Sequence, residues 1–107
     1  MKKKREQLGI DPKLENLGAN VAEELTAKAT LAMRFNELLH ARGLSQTEAA
    51  AITGMTQPKI SQVRRCKLQN ISLERLLQAL VSLDQRVEIV VRPARRARGA
   101  GITVPAQ

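Results

Sequence analysis

Aromatic residues are almost absent: one Phe, and neither Trp nor Tyr, in 107 residues. One Phe cannot stack a row of bases, so an aromatic platform for single-stranded nucleic acid is excluded. The single Cys rules out an intrachain disulfide and fits a reducing compartment, expected to be the cytoplasm. One Cys and one His do not make a zinc site. No run of about 18 apolar residues occurs, so no membrane-spanning helix is expected. The N-terminus is basic but no apolar stretch follows it, so it does not read as a secretory signal. No nucleophile with its base, phosphate-cradling loop or metal set is recognisable. The chain is therefore not read as an enzyme: no catalytic residue, metal or cofactor is assigned.

What is present is a 43% hydrophobic fraction, too high for a wholly disordered chain. A core can be built from Leu, Ile, Val and Ala, and the length allows one small domain. The formal net charge is +8, from 18 Lys+Arg and 10 Asp+Glu, and it is unevenly spread. Residues 1–19 hold five basic and three acidic residues, and residues 20–91 hold nine and seven. Residues 92–107 hold Arg92, Arg95, Arg96 and Arg98 and no acid. Within the balanced body, Lys59, Arg64, Arg65 and Lys67 form a second acid-free cluster. A polyanion is the partner such a balance suits.

Residues 1–19 carry Gly9, Pro12 and Gly18 without a sustained period and read as a mobile basic arm. Asn20 and Glu23 have capping-box-like spacing, which predicts the start of a first helix over 21–42. Leu25, Leu31, Phe35, Leu38 and Leu39 form its apolar stripe, and Gly43 suits its C-terminal turn. Ser45-Gln-Thr-Glu48 is a full capping box for a helix over 46–52. Gly54 turns the chain, Thr56 is the next N-cap, and Pro58 falls in a first turn. That third helix runs over 57–65 with Ile60 and Val63 inward. Ser72 caps a fourth helix, ending near Leu83, with Leu73, Leu76, Leu77, Leu80 and Leu83 inward. Val87, Ile89 and Val91 then alternate with Glu88, Val90 and Arg92, which predicts a strand closed by Pro93.

Two short helices around a tight Gly-containing turn, here Ser45 to Arg65, are the signature of a helix-turn-helix. Such a second helix enters the major groove, so its outward residues reach base edges. The outward positions Gln57, Lys59, Ser61, Gln62 and Arg64 can all hydrogen-bond and none is acidic. Gln pairs bidentately with adenine, and Lys or Arg with guanine. A polar face of an ordinary bundle would mix acidic with basic residues, whereas residues 55–70 hold four basic residues and no acid.

The stretch from Gly43-Leu-Ser-Gln-Thr-Glu48 through Gln57-Pro-Lys-Ile-Ser-Gln-Val-Arg64 resembles the Xre family, helix-turn-helix regulators related to phage repressors. The wider run from Leu25 to Pro93 looks like HigA-type antitoxins. The features are Ala27-Lys-Ala29, the helix-turn-helix, Ser72-Leu-Glu-Arg-Leu-Leu77 and Arg86-Val-Glu-Ile-Val-Val-Arg-Pro93. The resemblance implies an all-α, lambda-repressor-like domain of about four helices plus one C-terminal β-strand. It implies base contacts from Thr56, Gln57, Lys59, Ser61 and Gln62. Phosphate contacts would fall to Gln46, Arg64, Arg65, Lys67 and Asn70. Many members have Gly in the loop after the third helix, where this chain has Arg65-Cys66-Lys67-Leu68.

The expected domains are the arm 1–19, the helix-turn-helix domain with its strand over 20–92, and a disordered Arg-rich tail over 93–107. The strand finds no partner within the chain, so Val87, Ile89, Val90 and Val91 are expected to pair with a second copy in a homodimer. The expected function is a DNA-binding repressor of its own toxin–antitoxin operon that neutralises a RelE-like toxin, a small basic protein. Lys2 to Arg5 would repel such a partner, and Leu8, Ile10, Leu14 and Leu17 would have to supply apolar anchors. A stand-alone regulator is the alternative. An RNA- or protein-interaction module acting through the Arg-rich tail is the alternative of another class. Cys66 reads as a plain loop residue, His40 as a helix-end cation, Glu23 and Glu24 as helix-start charges, and Met33 and Met55 as packing.

Overall fold

A computed structural model describes residues 14–95 and 99–105. Lys2 to Arg5, Leu8, Ile10, Arg96 and Arg98 lie outside the described residues. Four helices follow in order: α1 Leu14–Ala41, α2 Gln46–Thr53, α3 Gln57–Arg64 and α4 Leu73–Ser82. Helices α2 to α4 start at the expected residues and end within one residue of expectation. Helix α1 differs, because it runs back to Leu14 and spans 28 residues. Asn20 is therefore a helix-interior residue and not an N-cap. Asn and Gly18 each cost at most about 1 kcal/mol inside a helix, and the Leu, Glu and Ala around them offset that.

The core is shared by all four helices. Phe35 and Leu39 from α1, Ile60 and Val63 from α3, Leu76 from α4, and Ile71 and Leu83 beside it are fully buried. The stripe that α1 buries is Ala27, Leu31, Ala32, Phe35 and Leu39, with Leu38 half-buried. Leu25 was expected on this stripe, but it lies off it and is 42% exposed. Met33 is likewise 57% exposed instead of packed, while Met55 is buried as expected.

The helix ends explain why the connections are so short. Ser45 accepts from the Glu48 amide at 3.1 Å while Glu48 accepts from the Ser45 amide at 2.9 Å. The Thr56 hydroxyl accepts from Lys59 N and the Ser72 hydroxyl from Arg75 N. Each satisfies a backbone donor that the helix start leaves open. At the other ends, Gly54 closes α2 with φ 76°, and its N–H reaches Ala50 O. Three further ends share one pattern of two backbone bonds around a left-handed residue. Leu44 N donates to Leu39 O and Gly43 N to His40 O; Lys67 N to Gln62 O and Cys66 N to Val63 O; Gln85 N to Leu80 O and Asp84 N to Val81 O. Gly43 takes the left-handed conformation at no steric cost, but Cys66 (φ 56°) and Asp84 (φ 65°) take it with a side chain present.

Residues 86–92, expected as a strand, have no regular structure in the single chain. The reason is topological: every regular element among the described residues is a helix, so no edge is available to pair with. Val87 packs against the core, while Ile89, Val90 and Val91 stand out in solvent. Beyond the Arg-rich stretch, residues 99–105 lie along α1. Arg34 Nη2 donates to Pro105 O at 2.8 Å, Val104 packs on the core, and Gly101 sits against the Glu23 carboxylate.

Candidate nucleic-acid interface

Helix α3 is anchored from one side. Ile60 and Val63 are fully buried, and Gln57, Ser61 and Arg64 follow each other at four- and three-residue steps along the flank beside them. Pro58 and Gln62 share the same outer surface. Gln57, Arg64, Arg65, Lys67 and Asn70 are exposed; Ser61, Gln62 and Lys59 are half-buried. Thr56 is exposed and caps the helix, and Gln46, half-buried, opens α2. All the residues expected to meet bases and phosphates except Gln46, which is on α2, thus fall on α3, its start and the loop behind it.

One of them is already engaged. Lys59 Nζ donates to Asn70 O at 3.2 Å, so this cation fastens the loop as well as adding charge. By contrast Arg64, Arg65 and Lys67 make no side-chain hydrogen bond or ion pair with the described residues. They crowd the C-terminal end of α3, whose open carbonyls favour cations there. The dipole alone would be served by one cation; three free ones make a field that suits a polyanion.

The loop behind α3 keeps the conformation that a glycine would give it. Cys66 occupies the left-handed position, and the two bonds from Cys66 N and Lys67 N close the helix end. The departure from glycine therefore leaves the backbone path intact and adds only strain. Cys66 itself is exposed.

Several side chains that sequence reasoning passed over hold this surface in place. Asn36 Nδ2 on α1 donates to Val63 O at 3.2 Å, fixing the end of α3. Arg75 Nη2 on α4 donates to Gly54 O at 3.0 Å, holding the turn between α2 and α3. Lys28, buried on α1, donates to Leu68 O at 3.4 Å and lies 3.7 Å from Glu24, which anchors the loop. Thr53 closes α2 by donating to Ala49 O at 2.8 Å and accepting from Met55 N at 3.2 Å. The bonds to Gly54, Val63 and Leu68 join residues 21 to 40 apart in the chain, and no local period announces them.

Among the described residues no group of His, Cys, Asp and Glu is placed to hold a metal ion. No helix among them is long and apolar enough to cross a membrane.

A short helix buried on one side, a glycine turn, and an acid-free second helix with polar residues outward together define a helix-turn-helix unit. Comparison with known families agrees: the model described as "Helix-turn-helix domain" matches residues 14–92, and the chain belongs to that family. A solved structure described as "Putative XRE Family Transcriptional Regulator" is 45% identical, with a TM-score of 0.72 over 81% of this chain and 99% of that one. At that identity and coverage the chain is of the XRE type within the helix-turn-helix class. No curated protein sequence matches it significantly.

Proposed function

We propose that this protein is a sequence-specific transcriptional regulator that binds operator DNA through α3. The observation that carries this reading is the outer surface of α3 and its loop. Gln57, Ser61 and Gln62 stand where base edges would lie, and Arg64, Arg65 and Lys67 flank them without a partner among the described residues. Thr56 and Lys59 complete the base-facing set, and Gln46 and Asn70 the phosphate-facing set. Phosphate contacts would fix register, and the two glutamines would read sequence.

One such domain grips one half-site, so the protein acts as a homodimer on two half-sites about 34 Å apart. The exposed apolar segment Val87–Val91 is the joining element. In the cell the operator is its own promoter, and the protein is an antitoxin that neutralises a RelE-like toxin. That last step is supported by the likeness of residues 25–93 to HigA-type antitoxins.

A gel-shift titration on the DNA upstream of the gene and on scrambled DNA tests the reading. Gln57→Ala or Gln62→Ala should lose about 1–3 kcal/mol on the operator and little on scrambled DNA. Arg65→Ala should weaken both and flatten the salt slope by about one unit. Equal loss on both DNAs for the glutamine variants would refute base readout. Loss of binding on deleting residues 94–107, with the glutamine variants unchanged, would favour the tail as the binding element. Co-purification with the product of an adjacent toxin-sized reading frame tests the antitoxin role; its failure would leave a stand-alone regulator.

A further inference from the structure

The segment after α4 exposes apolar side chains on an unpaired backbone. Ile89, Val90 and Val91 are 74%, 66% and 89% exposed. No backbone group of 86–92 hydrogen-bonds to any described residue. Three consecutive exposed β-branched residues with a free backbone form an edge that invites another strand. A second copy of the same segment is the occupant that the charges favour.

In a strand the side chains alternate, so Val87, Ile89 and Val91 share one face and Glu88, Val90 and Arg92 the other. Val87 packs against the core, and Ile89 and Val91 continue its apolar face beyond the packed part, exposed in the single chain. Antiparallel pairing of two copies can set the two-fold axis on a residue or between two residues. An axis between residues would put Glu88 and Arg92 of one copy on the same face as Ile89 and Val91 of the other, which mixes charge into the apolar face. The axis therefore falls on a residue.

Four choices remain near the centre of the segment, and charge favours one of them. An axis on Glu88 sets the two Glu88 carboxylates against each other. An axis on Ile89 sets Arg86 against Arg92 of the partner subunit, twice. An axis on Val91 leaves Glu88 and Arg92 without opposite partners. An axis on Val90 sets Glu88 against Arg92 of the partner subunit on both sides, and Ile89 against Val91 of the partner subunit. Directly opposed unlike charges stabilise such a ribbon and like charges destabilise it. The Glu88 carboxylate already accepts from Arg86 Nε at 3.2 Å within its own chain, and the second cation would fall on its other side.

Proline chooses the hydrogen-bonding phase. With Val90 paired to its copy as a hydrogen-bonded pair, Glu88 and Arg92 are bonded positions as well. Pro93, opposite Val87, then falls on a non-bonded position, where its missing N–H costs nothing. About six interstrand bonds would form around the axis.

We propose that two copies of this chain join through an antiparallel ribbon centred on Val90, with Glu88 facing Arg92 of the partner subunit. The proposal rests on the dimer reading above and specifies its register. Cysteine cross-linking of the full chain tests it, in a Cys66→Ser background so that no other thiol is present. In this register opposed Val90 positions have Cα atoms about 5.5 Å apart, and a disulfide spans that distance. Ile89 and its own copy are diagonal neighbours at about 7–8 Å, beyond disulfide reach, and so are Val91 and its copy.

Val90→Cys should therefore cross-link efficiently under mild oxidation. Ile89→Cys alone and Val91→Cys alone should not, whereas a mixture of the two should. Glu88→Arg and Arg92→Glu should each raise the dimer dissociation constant about tenfold, and the two together should restore it. Cross-linking of Ile89→Cys or Val91→Cys alone would overturn the register while leaving the dimer in place. A dimer in sedimentation that no cysteine pair cross-links would overturn the ribbon. Sedimentation as a monomer at micromolar concentration, in protein whose helical circular dichroism is intact, would overturn the dimer reading itself.

Discussion

The stretch from Ser45 to Lys67 and the stretch from Arg86 to Arg92 both serve the proposed function, but they are finished to different degrees. In the first, the ends of α2 and α3 are capped, and Ala49, Ile60 and Val63 are buried. The backbone carbonyls of Gly54 and Val63 are taken up by Arg75 and Asn36. In the second, one side chain of the apolar four is packed and the backbone is free of the described residues. The contrast separates a surface that the chain completes for itself from one that it leaves open. A base-reading helix must be in place before DNA arrives, because ordering it on binding would subtract from affinity. A joining strand cannot be finished within one chain, because its hydrogen bonds need a second strand.

Four substitutions bear on that contrast, in descending order of effect. Phe35→Ala empties the centre of the core that supports α3 and should cost about 3–5 kcal/mol in urea unfolding. A loss below about 1 kcal/mol would mean that the helix-turn-helix does not depend on α1. Val90→Pro removes a hydrogen-bonding position from the free segment and should leave the helical content unchanged. It should turn the dimer into a monomer in sedimentation and weaken operator binding about 100-fold through loss of the second half-site. If the variant remained a dimer, the joining role would belong to another surface.

Arg75→Ala frees the carbonyl of Gly54 at a partly exposed site and should cost about 1 kcal/mol in thermal unfolding. Its effect on operator binding should exceed its effect on scrambled DNA, since it positions α3 and touches no phosphate. Cys66→Gly removes the side chain from a left-handed position and should raise stability by about 0.5–1 kcal/mol, with DNA binding unchanged. A loss of stability there would show that the Cys66 side chain contributes packing that offsets the strain.

The two stretches were also unequally legible. The capping box at Ser45, the glycine turn, the N-caps Thr56 and Ser72 and the inward Ile60 and Val63 are local patterns, and each stands in the structure where the residues place it. The start of α1 is not legible locally, because Asn20 and Glu23 imitate a cap inside a helix that favourable neighbours carry back to Leu14. Leu25 fits the helical spacing yet lies off the buried stripe, which follows Ala27, Leu31, Phe35 and Leu39. The strand over 86–92 was read from its alternation, which is a property of the segment. Whether it pairs is a property of its surroundings.

The charge of +8 divides in the same way. Composition and position placed a basic, acid-free cluster on α3 and its loop. The folded chain sorted the cations within the body. Lys28, Arg42, Lys59 and Arg75 are spent on carbonyls of Leu68, Leu83, Asn70 and Gly54. Arg64, Arg65 and Lys67 keep their charge outward.

Sequence alone settled the helix-turn-helix, because caps, turns and helical periodicity act between residues at most a few positions apart. Tertiary structure settled which cations are free and that residues 99–105 lie along α1. Those outcomes depend on carbonyls and apolar side chains brought together from distant parts of the chain, and no local pattern of residues encodes where they meet.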